Sequence, residues 1–119
     1  IADKSNNDEE TIYFITVNTK TFKSKRYELP DLKDSYIYSV RKSGDKEITL
    51  VADDGIRIMD DKFKIKYILN RDVNARNSIE DALPLPSGDF IIGGTYHEDS
   101  FHPKAFVGRV NRSAFTPVP

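Results

Sequence analysis

The chain is 119 residues long, 38% hydrophobic and 31% charged, with 18 basic against 19 acidic side chains and a formal net charge of −1. That length suits one modest globular unit, and the balanced charge supplies no global attraction to nucleic acid or anionic lipid. The absence of cysteine excludes disulfides, thiol catalysis and thiolate zinc sites together, and no apolar run approaches the roughly 18 residues of a membrane helix, so a soluble chain with no membrane span is expected.

Residues 1–10 are polar, rich in Asn, Asp and Glu, and read as a disordered lead-in. From there apolar residues recur with strand spacing. Thr11 to Asn18 and Phe22 to Leu29 form a predicted hairpin across Thr19, Lys20 and Thr21. Tyr36 to Arg41 leads through Ser43, Gly44 and Asp45 into Glu47 to Ala52, and Asp53-Asp54-Gly55 then gives the Asp-Gly signal of a tight hairpin. Ile56 to Met59, a turn at Asp60 and Asp61, and Phe63 to Leu69 complete a first cycle. A second cycle runs through Ile79 to Leu85, Phe90 to Gly94, Ala105 to Val110 and a short strand near Phe115 to Val118. Ser78 and Asp81 imitate a helix capping box, but Pro84 and Pro86 cut any helix there to about one turn. The strands Glu47 to Ala52 and Asp89 to Gly94 are apolar on both faces, as buried inner strands are. Lys62, Lys64 and Lys66 alternate with Phe63, Ile65 and Tyr67, which places the lysines on one face of an outer edge strand, where they oppose aggregation. Aromatics pointing to the opposite face cannot stack on the ligand those lysines would hold, so a nucleic-acid stripe is not expected.

The segments repeat. Ser43-Gly44-Asp45 returns 44 residues later as Ser87-Gly88-Asp89, and the pair of strands around Phe22 returns around Phe63, then loosely around Phe115. A period of about 40 to 50 residues holding four antiparallel strands is the blade of a β-propeller. Ile91-Ile92-Gly93-Gly94, a long loop and Ala105 to Pro119 resemble a kelch-type blade; Val51 to Leu69 is more similar to the blades of periplasmic sensor propellers of bacterial signalling proteins. The kelch tryptophan is replaced by Phe22, Phe63 and Phe115. The expected fold is therefore all-β, with antiparallel four-stranded blades of a partial β-propeller: residues 11–29 a half blade, 36–69 and 79–118 full blades. A closed ring needs at least four blades, so a start at Ile1 and in mid-blade leads to the expectation of a piece of a longer polypeptide, or of a ring completed by another chain. The alternative is a two-sheet β-sandwich.

In such a blade the connections alternate ends. The tight turns fall at one end, and the long polar connections Pro30 to Ser35, Asn70 to Ser78 and Thr95 to Lys104 fall at the other, which makes the long-loop end the expected working face. Three groups occupy it. Tyr96, His97, Glu98, Asp99 and His102 hold both histidines of the chain; His97 and His102 are metal-ligand types, but a four-residue gap on a loop fixes no geometry. Arg71, Asp72, Asn74, Arg76 and Asn77 offer forked guanidinium donors suited to carboxylate, phosphate or sugar, against the plainer reading that Asp and Asn satisfy the loop's own backbone. Asp31, Lys33 and Asp34 form a thinner third group. Asp53-Asp54-Gly55 lacks the further oxygens of an EF-hand, Gly93-Gly94 has no phosphate-loop context, and no serine sits in a nucleophile elbow. Asn111-Arg112-Ser113 is a formal glycosylation sequon.

These observations point to a non-catalytic binding or scaffold module contacting a protein or a carbohydrate-like ligand, with no cofactor. A propeller enzyme, a hydrolase or lyase completed by further blades, is the rival. It would gather titratable groups on the innermost strands, where Tyr36, Tyr38, Ser39, Glu80 and Asp81 stand, and adjacent Glu80 and Asp81 point to opposite faces. The sensor-propeller resemblance implies a third reading, a ligand-sensing ectodomain outside the cytoplasm.

Overall fold

The computed structural model describes residues 12–29, 32, 35–72, 76–97 and 101–119; the expected lead-in lies outside them. Their regular structure is all-β, in antiparallel sheets of two, five and three strands, with a 3-10 turn at Arg112–Ala114. The chain divides into two units, residues 1–35 and 36–119.

In the first unit β1 (Tyr13–Val17) pairs with β2 (Ser24–Glu28), Tyr13 opposite Glu28 and Val17 opposite Ser24. The expected hairpin forms because Asn18 organises its turn: its side-chain oxygen accepts the amides of Lys20 and Thr21 at 2.9 and 3.1 Å. Phe22 closes the loop at φ 59°.

The second unit opens with a meander, β3 (Ile37–Gly44), β4 (Glu47–Ala52), β5 (Gly55–Asp60) and β6 (Ile65–Asn70). The β4–β5 turn needs its glycine. Gly55 sits at φ 145°, and a Cβ there would lie 2.1 Å from the Leu69 carbonyl oxygen of β6. The β5–β6 loop repeats the chemistry of the first hairpin, with the Asp60 carboxylate accepting the amides of Lys62 and Lys64 and Phe63 at φ 65°. Phe22 and Phe63, matched in the sequence repeat, are thus the non-glycine residues of positive φ among those described. Phe115, the loose third member, is extended at φ −80°.

The second cycle forms β7 (Asn77–Pro84), β8 (Phe90–His97) and β9 (Pro103–Val110), a three-stranded sheet rather than four. Its expected fourth strand, β10 (Thr116–Pro117), pairs instead with β6, Thr116 opposite Ile68 and Pro117 opposite Tyr67, and the Val118 amide donates to the Lys66 carbonyl at 2.8 Å. So β6 is not an outer edge strand along this stretch, and the lysine alternation breaks at Lys66, the extra residue of a β-bulge. Two interactions draw the chain back. The Phe115 ring packs 5.6 Å from that of Phe90 in the core, and the Arg112 guanidinium pairs with Glu47 of β4.

Alternation along β4 and β5 sends Val51, Ile56 and Ile58 to one face, where they meet Ala82, Phe90, Ile92 and Phe115. Leu50 and Met59, on the other face, are buried as well. The two sheets of this unit come closest along β3 and β4 against β7. The side of the three-stranded sheet away from this core shows Leu83 and Val107, 50% and 78% exposed.

Candidate functional site

Two long connections of the second unit meet at one end. The β6–β7 connection follows Asn70 and the β8–β9 connection follows His97, and the His97 amide donates to the Arg76 carbonyl at 2.9 Å, tying them together. The Arg71 amide donates to the Asp54 carbonyl at 2.8 Å, so the β4–β5 turn lies at the same end.

A cleft of about 760 Å³ opens there, lined by Tyr38, Arg71, Arg76, Asn77, Ser78, Glu80, Thr95 and His97. Each element supplies its share for a local reason. Glu80 is the extra residue where the β7–β8 register shifts between Ile79 opposite Gly94 and Asp81 opposite Gly93, and a bulge of this kind re-aims a side chain. Close approach at the bulge depends on Gly94, because a Cβ there would fall 1.8 Å from the Ser78 carbonyl oxygen and 3.1 Å from the Phe106 ring. Thr95, next along β8, donates its hydroxyl to the Glu80 carboxylate at 2.5 Å. A smaller hollow of about 200 Å³ involves Arg71, Asp72, Asn77 and Gly55.

The neighbouring carboxylate goes elsewhere. Asp81 takes a two-point contact from Arg41 of β3, Nε to Oδ1 at 2.8 Å and Nη2 to Oδ2 at 2.6 Å. That hydrogen bonding, with the Ala82 amide assisting, holds its carboxyl down at about 2. Asp81 is therefore ionised near neutrality, pinned between strands, and separate from Glu80 in role.

Among the expected residues, the cleft brings together Arg71, Arg76, Asn77 and His97, drawn from two separate groups, and Asp72 borders the adjoining hollow. Tyr96 and His97 belong to β8 rather than to a loop, opposite Lys104 and Pro103. Tyr96 and His102 do not line the cleft. Asp31, Lys33, Asp34, Asn74, Glu98 and Asp99 lie outside the described residues. No group of three or more His, Asp or Glu side chains among the described residues is placed to hold a metal ion. Sequence spacing does not single out Ser78 and Thr95; the one signal for them is Gly93-Gly94, which marks a close backbone approach inside a strand.

The end at which the tight turns fall carries a second polar cluster of a different kind. Thr49 Oγ1 donates to Ser43 Oγ at 2.7 Å, Ser43 Oγ donates to Glu47 at 2.8 Å, and Arg112 reaches both Glu47 and the Gly88 carbonyl. Asp89 accepts from the Arg112 amide at 2.8 Å and from Arg109 at 2.7 Å. Its groups are spent on one another and join the two sheets.

No family model, curated protein or solved structure matches this chain.

Proposed function

We propose that the chain is a non-catalytic binding module, part of a β-propeller, whose long-loop end takes a protein or carbohydrate-like ligand in the cleft between β7, β8 and the β6–β7 connection. The observation that carries this reading is the convergence of Arg71, Arg76, Asn77 and His97 with Tyr38 and Glu80 on one concavity. Concave sites with a few convergent polar groups are where small ligands and peptide segments bind. A volume of about 760 Å³ falls within the range of such sites, roughly 300 to 1,000 Å³. The separation of Glu80 from Asp81 supports binding over acid–base catalysis, since Asp81 is held by Arg41. Further blades, from the same or another chain, are the partners this reading assigns to the exposed face with Leu83 and Val107. The four-stranded meander β3 to β6 and the close approach of sheets along β3, β4 and β7 support the blade reading. One observation favours the sandwich: β10 crosses back to the five-stranded sheet.

The test presents the labelled chain to an array of neutral and acidic oligosaccharides and of acidic and basic peptides. Binding to one class should fall at least tenfold in the Arg71→Ala/Arg76→Ala variant, with the amide spectrum of the folded state retained. Unchanged binding in that variant, or no binding to any probe, overturns the assignment of this face.

A further inference from the structure

We infer that the outer edge of β9 is an interaction surface for a second copy of this chain, the two β9 strands pairing antiparallel about a two-fold axis at Val107 and joining two three-stranded sheets into one continuous sheet. This surface is independent of the cleft.

The three-stranded sheet runs β7-β8-β9, and β10, expected as its fourth strand, pairs with β6 instead, so β9 has no strand on its outer side among the described residues. Alternate residues of an edge strand hold their N–H and C=O groups out toward an absent neighbour, and proteins blunt such edges with bulges, proline or charge. The other edges of this unit are blunted. β3 has two register shifts against β4 and carries Arg41 and Lys42; β7 bulges at Glu80 and ends on Pro84; β10 is two residues long and contains Pro117. β9 keeps unbroken register with β8 over its eight residues, has its proline at the first position, and carries no charge from Ala105 to Gly108. Val107, 78% exposed, stands within that neutral stretch.

This edge suits a copy of itself. Residues opposite each other in an antiparallel pair point to the same face, so a two-fold axis at Val107 sets Val107 against Val107, Phe106 against Gly108, Ala105 against Arg109 and Lys104 against Val110. No like charges are opposed, a β-branched pair forms at the centre, and the large Phe106 meets the position that has no side chain. Arg109, which shares the outer face with Val107, is drawn back toward the start of β8, where its guanidinium donates to Asp89 at 2.7 Å. The self-pairing of one patch with itself is the geometry of a closed two-fold dimer.

The experiment follows the 119-residue chain by sedimentation as its concentration is raised, with amide spectra to confirm the fold. The parent chain is expected to pass from monomer to dimer. Val107→Lys and Val107→Glu each set like charges against one another at the axis, so each should lose the dimer while keeping the folded spectrum, and their equimolar mixture should dimerise again because a residue on the axis faces only its own counterpart. The chain has no cysteine, so the thiol of Val107→Cys can bridge only to a second copy. Under mild oxidation it is expected to give a disulfide-linked dimer, whereas Leu83→Cys, half-exposed on the same face but on β7, should not. A parent chain that is monomeric at every concentration assigns the edge to a different partner and overturns the proposal. So does an open-ended assembly, a dimer of either charged variant alone, a mixture of the two that stays monomeric, or Leu83→Cys bridging as readily as Val107→Cys, which would mark packing face to face. Ligand binding in the cleft is read separately, so either surface can fail without the other.

Discussion

Phe22 and Phe63 hold a backbone conformation that costs an L-residue about 1 kcal/mol or more, and both do so at the close of a hairpin loop that Asn18 or Asp60, at its start, caps with its side chain. Asn tolerates this region and β-branched residues do not. Phe63→Asn and Phe63→Val both remove the ring, so their difference isolates the backbone. The asparagine variant is expected to be more stable by about 1 kcal/mol in urea unfolding, although valine is the better strand former; the reverse order would mean that φ is not a constraint there. Arg57 presents a different residue-scale problem. Its side chain is 8% exposed, and its two terminal nitrogens donate to Asp54 at 2.6 and 2.9 Å. Asp54→Ala leaves a buried guanidinium without its carboxylate and should cost about 1 to 3 kcal/mol. Adding Arg57→Met removes the charge as well and should restore much of that loss; a double variant no better than the single one would place the cost elsewhere.

At the scale of elements, the return of β10 to β6 depends on the segment that precedes it. Arg112 pairs with Glu47, donates its backbone amide to the Asp89 carboxylate, and lies over the rings of Tyr67 and Phe90 at 5.7 and 5.8 Å. Arg112→Ala and Glu47→Ala are each expected to destabilise by about 1 to 2 kcal/mol, and the double variant by distinctly less than the sum. Strict additivity in urea unfolding would show that the pair does not couple the sheets. This crossing is not legible in the sequence. A two-residue strand containing Pro117 carries no alternation, and what decides its partner is the burial of Phe115 and the reach of Arg112, both tertiary facts. By contrast β4 is legible, because its mostly apolar run marks a strand buried on both faces, and Asp54-Gly55 marks the turn into β5, whose buried Arg57 no apolar pattern announces. The cleft is legible by halves. Arg71, Arg76 and His97 stand out on or beside long polar connections, whereas Ser78 and Thr95 enter through a bulge at Glu80 and a glycine contact, for which sequence spacing has no signature beyond Gly93-Gly94. The same limit explains Tyr96 and His97, where β8 runs three residues past its apolar stretch because β9 is there to pair with it.

Across the second unit, charge ties the elements together and sets its response to acid. Four of the described aspartates have carboxyl groups held below their ordinary value, each by a different neighbour: Asp54 by the Arg57 guanidinium, Asp60 by the backbone amide of Lys64, Asp81 by Arg41 and Asp89 by Arg109. They are distributed over both sheets and both ends. A carboxylate whose folded pKa lies below the unfolded one releases its proton more readily when folded, so it adds stability at pH values above the unfolded pKa, and that stability is lost as pH falls through the folded value. The ordinary aspartate value is 3.8 and Asp81 is held at about 2, which sets the window. The urea midpoint is therefore expected to hold nearly level down to about pH 5 and then to fall steadily between about pH 4 and pH 2. Because Arg41 and Asp81 are each 44% exposed, solvent and added salt weaken their attraction, and the acid limb should flatten in high salt. Asp81→Asn should lower the midpoint at neutral pH and leave a shallower decline below about pH 4. A decline as steep in Asp81→Asn as in the parent chain would assign the acid sensitivity to the other three carboxylates, and a midpoint level down to about pH 2 would remove the charge network from the account of stability altogether.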